Sequence, residues 1–208
     1  MLFRSYFAGL AANQPPDMAQ ALRDVLADEA TADAAIDRLP AEPSLRQRMR
    51  AMLRNTVTPT MLQAGSQINV IPSVAEAFVD GRNLPGWTPE MVLEELRAAI
   101  GSEAEIDFLD PSPPLEADVQ SPLFNTITEV LKEHDPEATP IPFLLTGGTD
   151  AKHVTQLGTK VYGFVPGLYA GPEEGRRVHS HDERVSTRSL QWGIRVLYEV
   201  VERFASRL

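Results

Sequence analysis

The segment from Asn55 to Gly86, "NTVTPTMLQAGSQINVIPSVAEAFVDGRNLPG", decides the fold of the first half of the chain. It is rich in β-branched residues and is interrupted by Pro and Gly, which is typical of two strands joined by a turn. Within residues 74–81 the even-numbered side chains are a mixture of polar and apolar types, whereas the odd-numbered ones are small and apolar. The predicted strand therefore has two different faces. We therefore predict adjacent antiparallel strands at 56–63 and 74–83.

The next segment, "WTPEMVLEELRAAIG" (87–101), predicts a helix. Thr88 suits the N-cap, Pro89 suits the first helical position and Gly101 suits the stop. A further alternating segment, "AEIDFLD" (104–110), predicts another strand. The order strand, strand, helix, strand favours an α+β open sandwich, with an antiparallel sheet that carries helices on one face.

The flanking segments have a different character. Residues 17–54 are rich in Ala, Leu and Arg and predict two or three short amphipathic helices, broken at 38–44. After a proline-rich linker at 110–118, helices alternate with short apolar strands, which favours a parallel or mixed α/β sheet. The predicted elements there are a helix at 121–135, a strand at 139–148, a short helix at 149–158, a strand at 160–167 and a long helix at 186–208.

Composition limits the classes of partner. The 208 residues are 43% apolar and 23% charged, with a formal net charge of −10. This charge argues against nucleic acid and anionic membranes as partners. The chain has no cysteine, so any metal must be held by His, Asp or Glu. The N-terminus has no sustained apolar run, so we predict neither a signal peptide nor a membrane span and expect a cytoplasmic protein.

Two segments contain residue types that suit a functional site. In "EEGRRVHSHDERVS" (173–186), His179 and His181 could bind a divalent ion, with Asp182 or Glu183 as a ligand or as an orienting carboxylate. The same residues also suit a charged surface loop, and the pattern leaves both alternatives open. The glycine turn in "LLTGGTDAK" (144–152) offers backbone N–H groups to an anion, although such turns also occur without ligands.

These segments together resemble one family. Residues 55–86 resemble the lid, or dimerisation, domain of the zinc-dependent M20 metallopeptidases. "TGGTDAKHVTQLGTKVYGFVPG" and "VHSHDERVS" resemble the C-terminal part of that family's catalytic domain. The resemblance covers roughly residues 48–208. It implies a helical segment at 1–47 that is part of the lid, a lid domain at 48–115 and a catalytic portion at 116–208.

The resemblance implies roles for individual residues. His179, the first histidine of His-x-x-Asp-Glu, matches the family's last metal ligand, whereas His181 has no ligand role. Asn69 resembles a residue that reaches into a neighbouring subunit's site, and Arg82 is placed to bind a substrate carboxylate. The remaining substrate-binding residues implied are Gly147, Gly148, Thr149 and Lys152, the last standing where the family often has arginine.

The implied activity is hydrolysis of an amide bond in a peptide or N-acyl amino acid. In the intact family site two zinc ions polarise the carbonyl and activate a water molecule. No His-x-Asp segment precedes residue 48, so we expect a C-terminal portion that lacks most metal ligands, is inactive alone and forms a homodimer through the lid. The alternatives from other classes are a non-catalytic interaction module and a small-molecule sensor.

Overall fold

The computed structural model describes residues 2–168 and 181–207. The chain divides into two compact units, one of Met1–Glu116 with Ile141–Thr159 and one of Ala117–Pro140 with Lys160–Leu208. The domain boundaries expected above remain predictions. The helices and strands of the described residues are α1 (Leu2–Ala12), α2 (Pro16–Ala27), α3 (Glu29–Asp37), α4 (Pro43–Ala51), β1 (Thr56–Ala64), β2 (Ala75–Arg82), α5 (Pro89–Ile100), α6 (Pro122–His134), α7 (Ala151–Val154), a 3-10 turn (Thr155–Leu157) and α8 (Thr187–Ala205).

A helical cluster forms the main core of the first unit. Phe7, Ile36 and Met52 are its largest fully buried side chains. Within this cluster Arg50 joins α4 to α3, because its Nε and Nη2 lie 3.0 and 2.6 Å from the carboxylates of Asp33 and Asp37. The predicted helices and their break at 38–44 are confirmed, since α3 ends at Asp37 and α4 begins at Pro43.

The predicted hairpin is also confirmed. β1 pairs with β2 in antiparallel register from Thr56 opposite Arg82 to Ala64 opposite Ala75, with an irregularity between Pro59 and Met61. Both faces of the hairpin are exposed along nearly its whole length. The described chain is therefore α+β, with helices and a two-stranded antiparallel sheet.

Helix α5 begins and ends where the sequence predicts. The Thr88 hydroxyl accepts a hydrogen bond from the Met91 N–H, Pro89 is the first helical residue and the chain leaves the helix at Gly101. Gly101 has a φ of 85°, which a residue with a Cβ adopts only with strain. These local signals need no tertiary partner, so they can be read directly from the sequence.

Three predicted strands are wrong. Residues 104–110, 139–148 and 160–167 form no strand in the described structure. Residues 161–168 nevertheless show near-alternating burial, with Tyr162 and Phe164 inward and Val165 73% exposed. An alternating segment becomes a strand only when a neighbour pairs its N–H and C=O groups, and the described residues supply none. The α/β sheet expected after residue 116 is therefore not present in residues 117–168 and 181–207, which the structure describes.

The second unit is built on the pairing of α6 with α8. Val130, Val196 and Val200 form its core together with Ile127. The final helix is confirmed, but Leu190, Ile194, Leu197 and Val201, which define its periodicity, are 45–59% exposed. The adjacent face, which includes Gly193 and Val196, is the buried one. Among the described helices, none combines the length and apolar character needed to cross a membrane.

Acid should weaken this helix pair. Arg203 of α8 donates hydrogen bonds to Glu133 of α6 and to Glu199. The bond from Arg203 lowers the pKa of Glu133, and chiefly the bond with His134 lowers the pKa of Glu199. In acid the unfolded chain therefore binds more protons at these two carboxylates than the folded chain does. The stability that the ionised carboxylates give to the folded state is present above about pH 4.5 and is lost as the pH falls.

We expect the melting temperature of the second unit to fall on acidification below about pH 5, and to continue to fall towards pH 3. The dependence on pH should be shallower in an Arg203→Gln variant, whereas Arg195→Gln, at an exposed position on the same helix, should behave like the wild type. Circular dichroism melts at each pH measure this. Identical slopes for wild type and Arg203→Gln would contradict the assignment.

Candidate functional site

Arg82 lies at the base of the hairpin, opposite Thr56. Alternate residues of a strand share one face, so Asp80 lies beside it. Asp80 Oδ2 accepts hydrogen bonds from Arg82 Nε at 3.1 Å and from Nη2 at 2.8 Å. The two side chains are 44–46% exposed, so the pair is accessible to solvent and to a ligand.

Gly148 of the Gly147–Gly148 turn lies close to this arginine. A Cβ atom built on Gly148 would lie 3.1 Å from Arg82 Nη1. Both glycines are exposed, and nothing would contact a Cβ built on Gly147. The structure therefore brings together two predicted site residues, Arg82 and Gly148, that are far apart in sequence.

The short helix after the turn places Lys152. The Thr149 hydroxyl accepts a hydrogen bond from the Ala151 N–H at 3.3 Å, and α7 begins at Ala151. Lys152 Nζ donates to Asp110 Oδ2 at 2.6 Å. This bond and the charge of Lys152 lower the pKa of Asp110. Lys152 is thus a paired cation, with its side chain 30% exposed.

Asn69 lies far from these residues. It is exposed in the loop that joins β1 to β2, whereas Arg82 lies at the opposite end of the hairpin. The two ends are about 23 Å apart at roughly 3.3 Å per residue. The length of the hairpin therefore separates the loop that contains Asn69 from Arg82 in one chain.

The predicted metal ligand, His179, lies outside the described residues. On the described side of that loop His181 and Glu183 are exposed, and Asp182 Oδ2 accepts a hydrogen bond from Arg184 Nη2 at 2.6 Å. Within residues 2–168 and 181–207 no group of three or more His, Asp or Glu side chains converges to hold a metal ion.

The arrangement around Arg82 suits binding of a carboxylate. A guanidinium group can offer two parallel N–H donors to a carboxylate, and charge-assisted hydrogen bonds of this kind are strong. Sequence reasoning missed the two acidic partners, Asp80 and Asp110. The position of Asp80 two residues before Arg82 on a strand was a usable signal. Asp110 is 42 residues from Lys152 and gave no local signal.

Comparison with known proteins identifies a family whose sequences match this chain. Residues 5–203 match the family described as Peptidase family M20/M25/M40. The N-fatty-acyl-amino acid synthase/hydrolase PM20D1 of Homo sapiens is 30% identical over 158 residues, which cover 73% of this chain and 31% of the relative. The probable carboxypeptidase S-like 2 of Dictyostelium discoideum is 23% identical over 164 residues, covering 76% of this chain and 31% of that protein.

The chain thus spans about a third of the length of the curated relatives it matches. No solved structure matches it. The family match extends from the helical cluster through the hairpin and the glycine turn to the final helix. The chain belongs to the M20/M25/M40 peptidase family.

Proposed function

We propose that this chain supplies the carboxylate-binding portion of a metal-dependent amide hydrolase that acts on N-acyl amino acids or peptides. The observation that carries the proposal is the closeness of Arg82 Nη1 to Gly148, where a Cβ atom built on the glycine would lie 3.1 Å away. The names of the relatives support the substrate class. An N-fatty-acyl amino acid and the substrate of a carboxypeptidase both end in a free carboxylate.

In this proposal Arg82 binds the substrate carboxylate, and the exposed Gly147–Gly148 backbone lets the ligand approach the guanidinium closely. Thr149 extends the ligand-binding surface that these two glycines begin. Lys152 adds a second positive charge, which acts as a point charge because an ammonium group lacks the planar fork of arginine. Each cation is paired with one carboxylate, Lys152 with Asp110 and Arg82 with Asp80, and we assign the larger contribution to Arg82 because its planar group offers more donors to a carboxylate.

A metal ion would polarise the scissile carbonyl and activate water in such a hydrolase. We propose His179 as one zinc ligand and expect the remaining ligands of a two-zinc site to come from outside this chain. A site with one His and few acids binds zinc weakly. Calorimetry with zinc tests this, and tight stoichiometric binding by the 208-residue chain would contradict it.

We also propose that Asn69 acts in a neighbouring subunit's site of a homodimer. Its position in the loop at the far end of the hairpin from Arg82 supports this, because the length of the hairpin separates the two residues in one chain. The exposed edges and faces of the hairpin offer a surface for a second copy. Sedimentation equilibrium tests the dimer, and a monomer at all concentrations would contradict it.

The carboxylate-binding proposal is tested by replacing Arg82 with Gln. We expect calorimetry to show that N-dodecanoyl-glycine binds the variant about three- to tenfold more weakly, since one charge-assisted contact at a half-exposed position is lost. The matched control is Arg38→Gln, which removes an arginine paired with Asp24 at 2.6 Å in the helical cluster. Equal affinities of wild type and Arg82→Gln would contradict the proposal.

A further inference from the structure

The hydrogen bonds of Arg82 divide its guanidinium group into two parts. Nε and Nη2 donate to the same oxygen, Oδ2 of Asp80, at 3.1 and 2.8 Å. These donors form the side edge of the group. Nη1 is the atom that faces Gly148, and no hydrogen bond from it to another described residue is present. The Nη1 end of the guanidinium group therefore lies at the glycine turn. Its side edge, formed by Nε and Nη2, is bound by Asp80.

We infer that Asp80 is a positioning residue that presents the Nη1 end of Arg82 to a ligand carboxylate at the Gly147–Gly148 turn. The inference rests on the proposed function. An arginine side chain has many rotamers, and a ligand that must order it binds more weakly than one that meets it already oriented. Asp80 can provide this order because it lies two residues away on the same face of β2.

The charge of Asp80 opposes this effect. A ligand carboxylate at Nη1 is repelled by the Asp80 carboxylate on the other edge of the guanidinium. Both side chains are nearly half exposed, so water and salt screen that repulsion. Orientation and charge can be separated by substitution, because Asn keeps an acceptor oxygen without the charge and Ala removes both.

The experiment is calorimetry of wild type, Asp80→Asn and Asp80→Ala with N-dodecanoyl-glycine and with its uncharged methyl ester. We expect Asp80→Ala to bind the acid about two- to fivefold more weakly, as expected when a rotamer-rich side chain must be ordered by its ligand. Asp80→Asn should stay within about twofold of the wild type. The ester should bind all three proteins equally. Asp24→Ala, which removes the acid from an unrelated arginine pair, should match the wild type with both ligands.

The outcomes distinguish this inference from the proposed function. Acid binding by Asp80→Ala that equals or exceeds that of the wild type would overturn the positioning role and show that charge competition dominates. An equal loss of acid and ester binding would show a merely structural role and would also overturn it. If Arg82→Gln weakens acid binding but Asp80→Ala does not, only this inference fails. If Arg82→Gln has no effect, or the wild type binds no acid, the proposed function fails with it.

Discussion

Replacing Phe7 by Ala should lower the free energy of unfolding of the helical cluster by about 3–5 kcal/mol. Phe7 is fully buried in that cluster and meets Tyr6 edge to face with ring centroids 5.6 Å apart. Removing the ring loses its burial and leaves a cavity that the neighbouring helices fill only in part. Urea denaturation followed by circular dichroism measures the change.

The matched control is Phe108→Ala, because Phe108 is 42% exposed. The same chemical change there should cost about 1 kcal/mol or less. A chain with two compact units can show two unfolding transitions. The change in the free energy of unfolding should therefore be measured on the transition that shifts in the Phe7→Ala variant. Equal effects of the two substitutions would contradict the position of the core.

Replacing Gly193 by Ala should destabilise the second unit by about 1–3 kcal/mol. A Cβ atom at this position would lie 2.2 Å from the backbone carbonyl oxygen of Pro166, and a backbone atom cannot rotate away as a side chain can. Helix propensity alone predicts the opposite sign, since Ala stabilises a helix interior by about 1 kcal/mol relative to Gly. The sign of the change therefore decides between the two effects.

Thermal unfolding of Gly193→Ala measures this change, with Gly163→Ala as the control. A Cβ on Gly163 would meet no atom within 4 Å, so that variant should remain within about 0.5 kcal/mol of the wild type or be slightly more stable. A Gly193→Ala variant as stable as the wild type would show that the segment containing Pro166 does not pack against α8.

Local signals made the hairpin and α5 predictable. Strand, turn and strand followed one another within residues 56–82, and Thr88, Pro89 and Gly101 marked both ends of the helix. Each of these features depends on residues close together in sequence, so no knowledge of the distant chain is needed to infer them.

Features that depend on distant residues were not predictable in the same way. Residues 139–148 and 160–167 have strand-like patterns, but a pattern does not say whether a partner strand lies beside them. Leu144 instead packs against the helical cluster, and Phe143 packs on Tyr6 with ring centroids 5.5 Å apart. On α8 the most regular apolar spacing belongs to an exposed face of the helix. The buried face contains Gly193, which packs closely but adds no apolar side chain to the pattern, so the sequence did not indicate that face.

The candidate site shows the same division. Arg82 and the glycine turn came from the resemblance to a family, and the structure places Arg82 against Gly148. The acidic partners arise from geometry, by strand alternation for Asp80 and by a long-range contact for Asp110. His179, the predicted metal ligand, lies outside the described residues, so its role stays a prediction.

The most direct test of the central claim is an NMR titration of the isotope-labelled chain with N-dodecanoyl-glycine. If Arg82 and the glycine turn form one carboxylate-binding surface, the Arg82 side-chain Nε–H signal and the backbone signals of Gly147 and Gly148 should shift together and saturate with a single dissociation constant. The methyl ester should leave all three unmoved at the same concentrations. Saturating shifts confined to other residues, or equal shifts with the ester, would contradict the claim.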